Sequence, residues 1–313
     1  MTTYTDALAR DASNDPLVPT PVSAEIIQEM PANSAVLSLA RRVPMSAKTS
    51  RQPVLSVLPT AYFVNGDTGL KQTSKQDWEN VTLVAEELAV IIPIPEAYLD
   101  DAQVPVWDEV RPRVAEAFGN KIDAACLFGV DKPATWGDDV ANSALNAGNV
   151  VIEGAGDDLA VDIANLARAI ALDGFTANGF AAEPGFSWRL VGMRTDQGVP
   201  IYAPPAGGQP SGLYGRPFPE VDNGAWNSDL ATVIAGDWRK AILGVRQDMT
   251  FRVFTEGVIS DDSGNIILNL MQQDSVALRV VARFGWALAN PTTRLNTNSA
   301  TRSPFGLMGG LGS

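Results

Sequence analysis

Between Val104 and Gly129 apolar residues recur every three or four positions: Val106, Val110, Val114, Phe118 and Ile122, with Ala125 a turn beyond. That spacing puts them on one face of a helix. Asp108, Glu109, Arg113, Glu116 and Lys121 fall mostly off the stripe. Pro105 suits a first helical turn and Gly129 the left-handed residue just past the last. Pro112 is discordant and predicts a kink or a split-off first turn. Unbroken, the helix is roughly 35 Å long at about 1.5 Å per residue. That is long for one side of a compact enzyme and natural for a beam with a sheet laid along it.

The rest of the pattern is mostly strand. Over residues 78–94, Val81, Leu83 and Ala85 alternate on one face, and Leu88, Val90, Ile92 and Ile94 on the other. The phase change at Glu86–Glu87 predicts a bulge or a transfer between sheets. Near the end, Val276, Leu278, Val280, Ala282 and Phe284 alternate with Ala277, Arg279, Val281 and Arg283. This is a long strand with one polar-leaning face, suited to lie on the helix. A Gly-, Asp- and Asn-rich connection follows Gly129 to about residue 156. A second helix is expected over Leu159–Leu172, capped by Asp157-Asp158 and stopped by Gly174. Strand-like ATVIAGDW and AILGVRQDMTFRVFTE complete a compact α/β unit.

Three stretches carry little core of their own. Residues 1–24 are polar and broken by Pro16, Pro19 and Pro21, an extended arm. Short helices are predicted at Ser23–Gln28 and Ala32–Ala40. Residues 46–77 read as a long hairpin-like loop, with strand pieces at Val54–Leu58 and Ala61–Val64 and turns at Asn65-Gly66-Asp67 and Gly69. A loop of this size makes sense if it projects and is held by a neighbour. Residues 297–313 are rich in Ser, Thr and Gly and are expected to fray. No internal repeat is present.

Composition narrows the chemistry. Of 313 residues, 45% are apolar, enough for a sizeable core, and the net charge is −13. That charge argues against nucleic-acid recognition and against binding to anionic lipid. There is no histidine and one cysteine, Cys126. Histidine-based nucleophile systems, most zinc sites and internal disulfides are thereby excluded. Cys126 reads as a small core residue. No apolar run approaches a membrane span and no signal peptide is evident, so a soluble, cytoplasmic chain is expected. Gly154-Ala155-Gly156 lacks the third glycine of a dinucleotide loop. The acid pairs Asp100-Asp101, Asp138-Asp139 and Asp261-Asp262 read as solvated turns or helix caps, and Gly236-Asp237-Trp238 as a turn. No catalytic, cofactor-binding or metal-ligating residue is assigned. The basic cluster in the sequence is Arg41-Arg42 with Lys48 and Arg51.

Six segments, in order, carry a resemblance: LAVIIPIPEAYLDDA at 88–102, AFGNKIDAACLFG at 117–129, FSWRLVGMRTDQGVPIY at 186–202, GLYGRPF at 212–218, IAGDW at 234–238 and SVALRVVARFGWALANP at 275–291. Together they resemble the HK97-fold major capsid proteins of tailed bacteriophages over roughly residues 20–295. The resemblance implies an α+β, HK97-like capsid fold. Residues 1–45 are then an N-terminal arm, 46–85 the E-loop, and 86–150 the P-domain with its spine helix at 104–129. Residues 151–247 are an A-domain, 248–296 the P-domain return strands and 297–313 a flexible tail.

The implied function is a structural subunit of an icosahedral shell of pentamers and hexamers around phage double-stranded DNA, without catalysis. Arm and loop then gain order by lying over adjacent copies, and repeated contacts of this kind close into rings and shells. The acidic charge keeps such a shell from sticking to DNA within a Debye length, about 8 Å. Implied partners are copies of the chain, a portal protein, a separate scaffolding protein or none (the arm begins almost at Met1), and a possible decoration protein. DNA is enclosed without sequence recognition, no membrane is involved, and assembly is expected in the host bacterial cytoplasm. Expected contact residues are Arg41, Arg42, Lys48, Arg51, Lys71, Lys75, Arg279 and Arg283. Arg279 and Arg283 share a strand face and either pair with acids across a subunit boundary or are solvated. Arg41-Arg42 with Lys48 and Arg51 touches scaffold, DNA or an acidic neighbour. Family members that crosslink join an E-loop lysine to an asparagine with help from a glutamate. Here Lys71 and Lys75 lie in that loop, but Val281 stands at the glutamate position and Asp274 near the asparagine position, so no autocatalytic crosslink is expected. Alternatives are an encapsulin-type compartment shell, which has a similar fold, and a carboxylate-dependent hydrolase.

Overall fold

The computed structural model describes residues 34–61, 73–102, 106–156, 158–193, 212–261 and 263–309. In chain order these form α1 (Ala35–Leu39), β1 (Arg41–Pro44), β2 (Thr49–Val57), β3 (Asp77–Val84), β4 (Glu86–Pro95), α2 (Glu96–Asp101), α3 (Val106–Phe128) and α4 (Val140–Ala147). Then come β5 (Val150–Ile152), α5 (Leu159–Leu172), β6 (Gly179–Ala182), α6 (Phe186–Gly192), β7 (Gly212–Leu213), β8 (Arg216–Pro217) and β9 (Val233–Gly236). The last are β10 (Ala241–Phe254), β11 (Val258–Ser260), β12 (Ile266–Asn269), β13 (Ser275–Leu288) and β14 (Phe305–Gly309). The helix expected at Ser23–Gln28 and the strand piece at Ala61–Val64 lie, Ala61 apart, outside the described residues.

The long helix is α3, closed by Gly129 at φ +70°. It runs unbroken through Pro112, correcting the expected kink. Pro112 is exposed, so the carbonyl it leaves without a donor faces water. Val114, Phe118 and Ile122 are buried as the stripe requires, and from Ile122 to Phe128 every residue is buried. The helix is amphipathic at its start and embedded at its end.

Against it lies a sheet of order β1-β10-β13-β4. Leu278, Val280, Ala282, Phe284 and Trp286 of β13 join Val114, Phe118 and Leu127 in one core cluster. The strand predicted over residues 78–94 breaks at Ala85: β3 pairs with β2 in a two-stranded ribbon, while β4 pairs with β13. The phase change marks a transfer between sheets.

A second sheet, β5-β14-β9-β6, carries α5 and α6 on its own core. Here the expectation of a frayed C-terminal tail is corrected. Phe305–Gly309 is an interior strand, buried throughout. A strand buried on both faces shows no alternation to read. Phe305 lies so close to β9 that a Cβ on Gly236 would sit 2.1 Å from its ring. Residues leading into β14 are held by Asp173, whose carboxylate accepts from Asn149 Nδ2, Asn296 Nδ2 and Ser303 N at 2.8, 2.7 and 3.0 Å. The connection after Gly129 also contains α4, capped by Asp139 and ended by Gly148 at φ +78°, and β5. Asp138-Asp139 reads as a turn or cap, but with eight residues the helix spans about two turns, too few for its stripe to repeat.

Candidate assembly surfaces

The joint between α1, α3 and the second unit is a single buried carboxylate. Asp123 of α3 is fully buried. It accepts from Ser34 Oγ at 2.6 Å, Val36 N at 3.0 Å, Ala35 N at 3.1 Å and Asn223 Nδ2 at 2.7 Å. It thus caps the helix that follows the N-terminal residues and ties it to the loop before β9. Burial raises its pKa, against the lowering effect of those hydrogen bonds. No sequence pattern marked Asp123 except its intrusion into an otherwise apolar helix end.

The expected contact residues separate into distinct places. Lys48 and Arg283 meet in a cleft of about 270 Å³ with Arg246, Glu86 and Glu87. Arg283 binds Glu87 of its own chain at 2.7 Å, and Lys48 approaches Glu86 at 3.9 Å. Arg283 is therefore paired within its own chain while remaining exposed. Arg279 faces Arg252 directly across β10 and β13, and like charges so placed repel. Its guanidinium lies 4.7 Å from the centre of the Phe254 ring, which offsets part of that repulsion. Lys75 pairs with Asp77 at 2.6 Å on the exposed ribbon. Arg42 turns back to donate to the Leu37 carbonyl, while Arg41 and Arg51 are exposed. The basic cluster of the sequence is thus divided between the α1 end, the ribbon and the cleft. Lys71 lies outside the described residues.

A basic group that sequence reading missed assembles elsewhere. Arg216, Arg239 and Lys240 line one cavity of about 270 Å³. The Arg239-Lys240 pair was visible in the sequence; Arg216 joins it only through the fold.

Uncovered apolar residues are spread over the surface, among them Trp188 of α6 and Leu172 of α5, and several lie on two of the two-stranded ribbons. On β2–β3 Trp78 is 62% exposed, and on β11–β12 Ile266 and Ile267 are 68% and 63% exposed, with Met271 beside them at 75%. Two-stranded ribbons are marginal alone in water, and apolar clusters of this kind mark contact surfaces.

The residues weighed for chemistry are occupied structurally. The backbone N–H groups of Gly154 and Gly156 both donate to the Asp162 carboxylate at 2.8 Å, so the loop cradles its own acid rather than a phosphate. Asp139 is a buried helix cap and Asp261 closes its own turn onto Ser263 and Asn265. Cys126 is fully buried, and burial pushes its thiol well above the ordinary range. Among the described residues no three acids or thiols gather in a metal-binding group.

This arrangement, with its long helix under a four-stranded sheet, has counterparts among known proteins. The model of the phage capsid family matches residues 14–293. The chain belongs to the phage capsid family. It is 27% identical over 271 residues to the major capsid protein of Staphylococcus phage 80alpha, covering 85% of this chain and 79% of that one. A solved chain from Microbacterium phage Oxtober96 superposes with a TM-score of 0.83 at 36% identity, over 94% of this chain and 96% of that one. One from Mycobacterium phage Adephagia gives 0.82 at 32%, over 94% and 95%. As a capsid-family member the chain has the α+β, HK97-like fold and is a structural protein of a phage virion, acting in many copies as its shell. The encapsulin-type and hydrolase alternatives are not favoured. In a capsid subunit the divided basic residues, the exposed ribbons and the Asp123 joint are read as parts of an assembling tile rather than as an active site.

Proposed function

We propose that the chain tiles an icosahedral head as pentamers and hexamers around double-stranded DNA, and performs no chemistry itself. The observation that carries this reading is the number of large apolar residues left exposed across the surface, Trp78, Trp188, Ile266 and Ile267 among them, which neighbouring copies would bury. Residues 1–45 act as the arm and 46–85 as the E-loop, with α3 as the spine. β10 belongs to the spine sheet and β14 to the second sheet. The A-domain expected at 151–247 therefore runs from about residue 151 to 240 and takes in 305–309. Arg41, Arg42, Lys48, Arg51, Lys71, Lys75 and Arg279 serve at contacts between copies, whereas Arg283 steadies its own sheet through Glu87. Beyond copies of itself, the expected partner is a portal protein, with assembly in the host cytoplasm.

Sedimentation of the purified chain beside a variant lacking residues 46–77 tests this. The full chain should sediment far faster than a monomer and the variant should not. Boiling the fast species in SDS should return monomers, because Val281 and Asp274 stand at the crosslinking positions. Equal sedimentation of the two would contradict the E-loop role; a covalent ladder would contradict the absence of crosslinking.

A further inference from the structure

The strongest unassigned feature is the outer edge of the spine sheet. β4 is its last strand and is bonded to β13 on one side only. Glu96, the residue just after β4, donates its N–H to the Asp274 carbonyl at 2.8 Å. Even-numbered N–H groups of β4 therefore face β13 and odd-numbered ones face outward, because successive groups alternate along a strand. Pro93 and Pro95 agree, since proline sits in a sheet where no donor is needed. At the other end the Ala85 N–H is taken by the Lys48 carbonyl at 2.7 Å. Between these limits lie three outward donors, Glu87, Ala89 and Ile91, with no backbone partner among the described residues. All three residues are exposed, Ile91 by 48%. From Leu88 to Pro95 the strand carries no charge. Edge strands are normally blunted by charge, by proline or by shortness. Here the acids and prolines stand at the two ends and the middle is left open, whereas the opposite edge, β1, is only four residues long.

An open edge of this kind accepts a further strand, and its pattern selects which. The three donors are symmetric about Ala89. A second β4, antiparallel with Ala89 opposite Ala89, sets Glu87 opposite Ile91 in both directions, so every outward donor meets a carbonyl. Pro93 then falls opposite Ala85, whose N–H is already used. Glu86 and Glu87 meet Ile92 and Ile91 rather than each other, which avoids the repulsion of like charges across strands. The stretches outside the described residues fit this edge less well. Residues 194–211 contain Pro200, Pro204, Pro205 and Pro210, and 62–72 contain Gly66 and Gly69. Residues 1–33 would bring five acids against a single Arg10 to an edge flanked by Glu86, Glu87 and Glu96. We propose that β4 pairs with β4 of a second copy across a two-fold axis, joining two spine sheets into one. The contact is isologous, with the same strand on both sides. It rests on the shell reading and names one joint between copies in that shell.

The test uses the full chain with Ala89→Cys, oxidised after particles have formed. Cys126 is fully buried and does not compete. Residues facing each other at the two-fold stand about 5.5 Å apart between Cα atoms, within disulfide range. Ile91→Cys is the control, because in this register its two copies are displaced along the strands by about 13 Å. On non-reducing gels Ala89→Cys should give about fivefold or more the dimer of Ile91→Cys, since Cα atoms beyond about 7 Å cannot be bridged. Hydrogen exchange on the unmodified chain gives a second reading. Residues 87–91 should exchange about tenfold or more slowly in particles than in free subunits, as backbone groups do once paired. Particles with no excess of dimer and no slowing overturn the β4 pairing and leave the shell reading standing. Slow exchange already present in free subunits places another segment of the same chain on the edge, and overturns the pairing too. Absence of particles and of dimers overturns both readings. Should Ala89→Cys fail to assemble, the exchange measurement decides alone.

Discussion

Asp123 concentrates more of the structure's cost and benefit than any basic residue singled out by charge. Its carboxylate is buried without a counter-cation and satisfied by four donors on two segments. Asp123→Ala would leave those donors facing a void. It is expected to destabilise the chain by about 3 kcal/mol, read by urea denaturation. Its pH dependence has a definite sign. Burial raises the folded pKa above the ordinary 3.8, so the folded state holds the proton more tightly than the unfolded one. The contribution is fully present below the unfolded value and is lost as pH rises through the folded one. The stability advantage of wild type over Asp123→Asn should therefore shrink as pH rises from about 4. An advantage that grows over that range would show the carboxylate to be favoured in its charged form. A carboxylate among Ile122, Ala124 and Ala125 hints at burial with partners, but the partners sit about a hundred positions away in sequence.

At the scale of elements, legibility followed periodicity. The sequence reading and the structure share both bounds of α5, because its stripe, the Asp158 cap and Gly174 agree. The alternation of β13 was equally plain. What escaped was β14, whose Phe-Gly-Leu-Met-Gly has no polar face to alternate with. Its importance is geometric. Phe305 is fully buried and meets Trp238 edge-on at 5.2 Å between ring centres. Phe305→Ala should cost about 3–5 kcal/mol, measured as a fall in the urea midpoint; a loss below about 1 kcal/mol would mean that β14 is peripheral after all. The contact surfaces were the least legible feature. Lys48 and Arg283 are 235 positions apart in sequence, and only the β4–β13 register and the turn after β1 bring them into one cleft.

On the scale of the whole molecule, the chain divides its burial unevenly. Two sheets and their helices hold continuous cores, while apolar residues on their outer faces and on the ribbons point outward. An isolated enzyme has no use for such ribbons; a tile that meets several neighbours gains from each. The charge of −13 then sets a second condition, since copies of one sign repel unless contacts are local and complementary. The most direct measurement is electron microscopy of the purified full chain at micromolar concentration. The account predicts closed shells, or rings of five and six copies. A uniform population of folded monomers that never associates would contradict it.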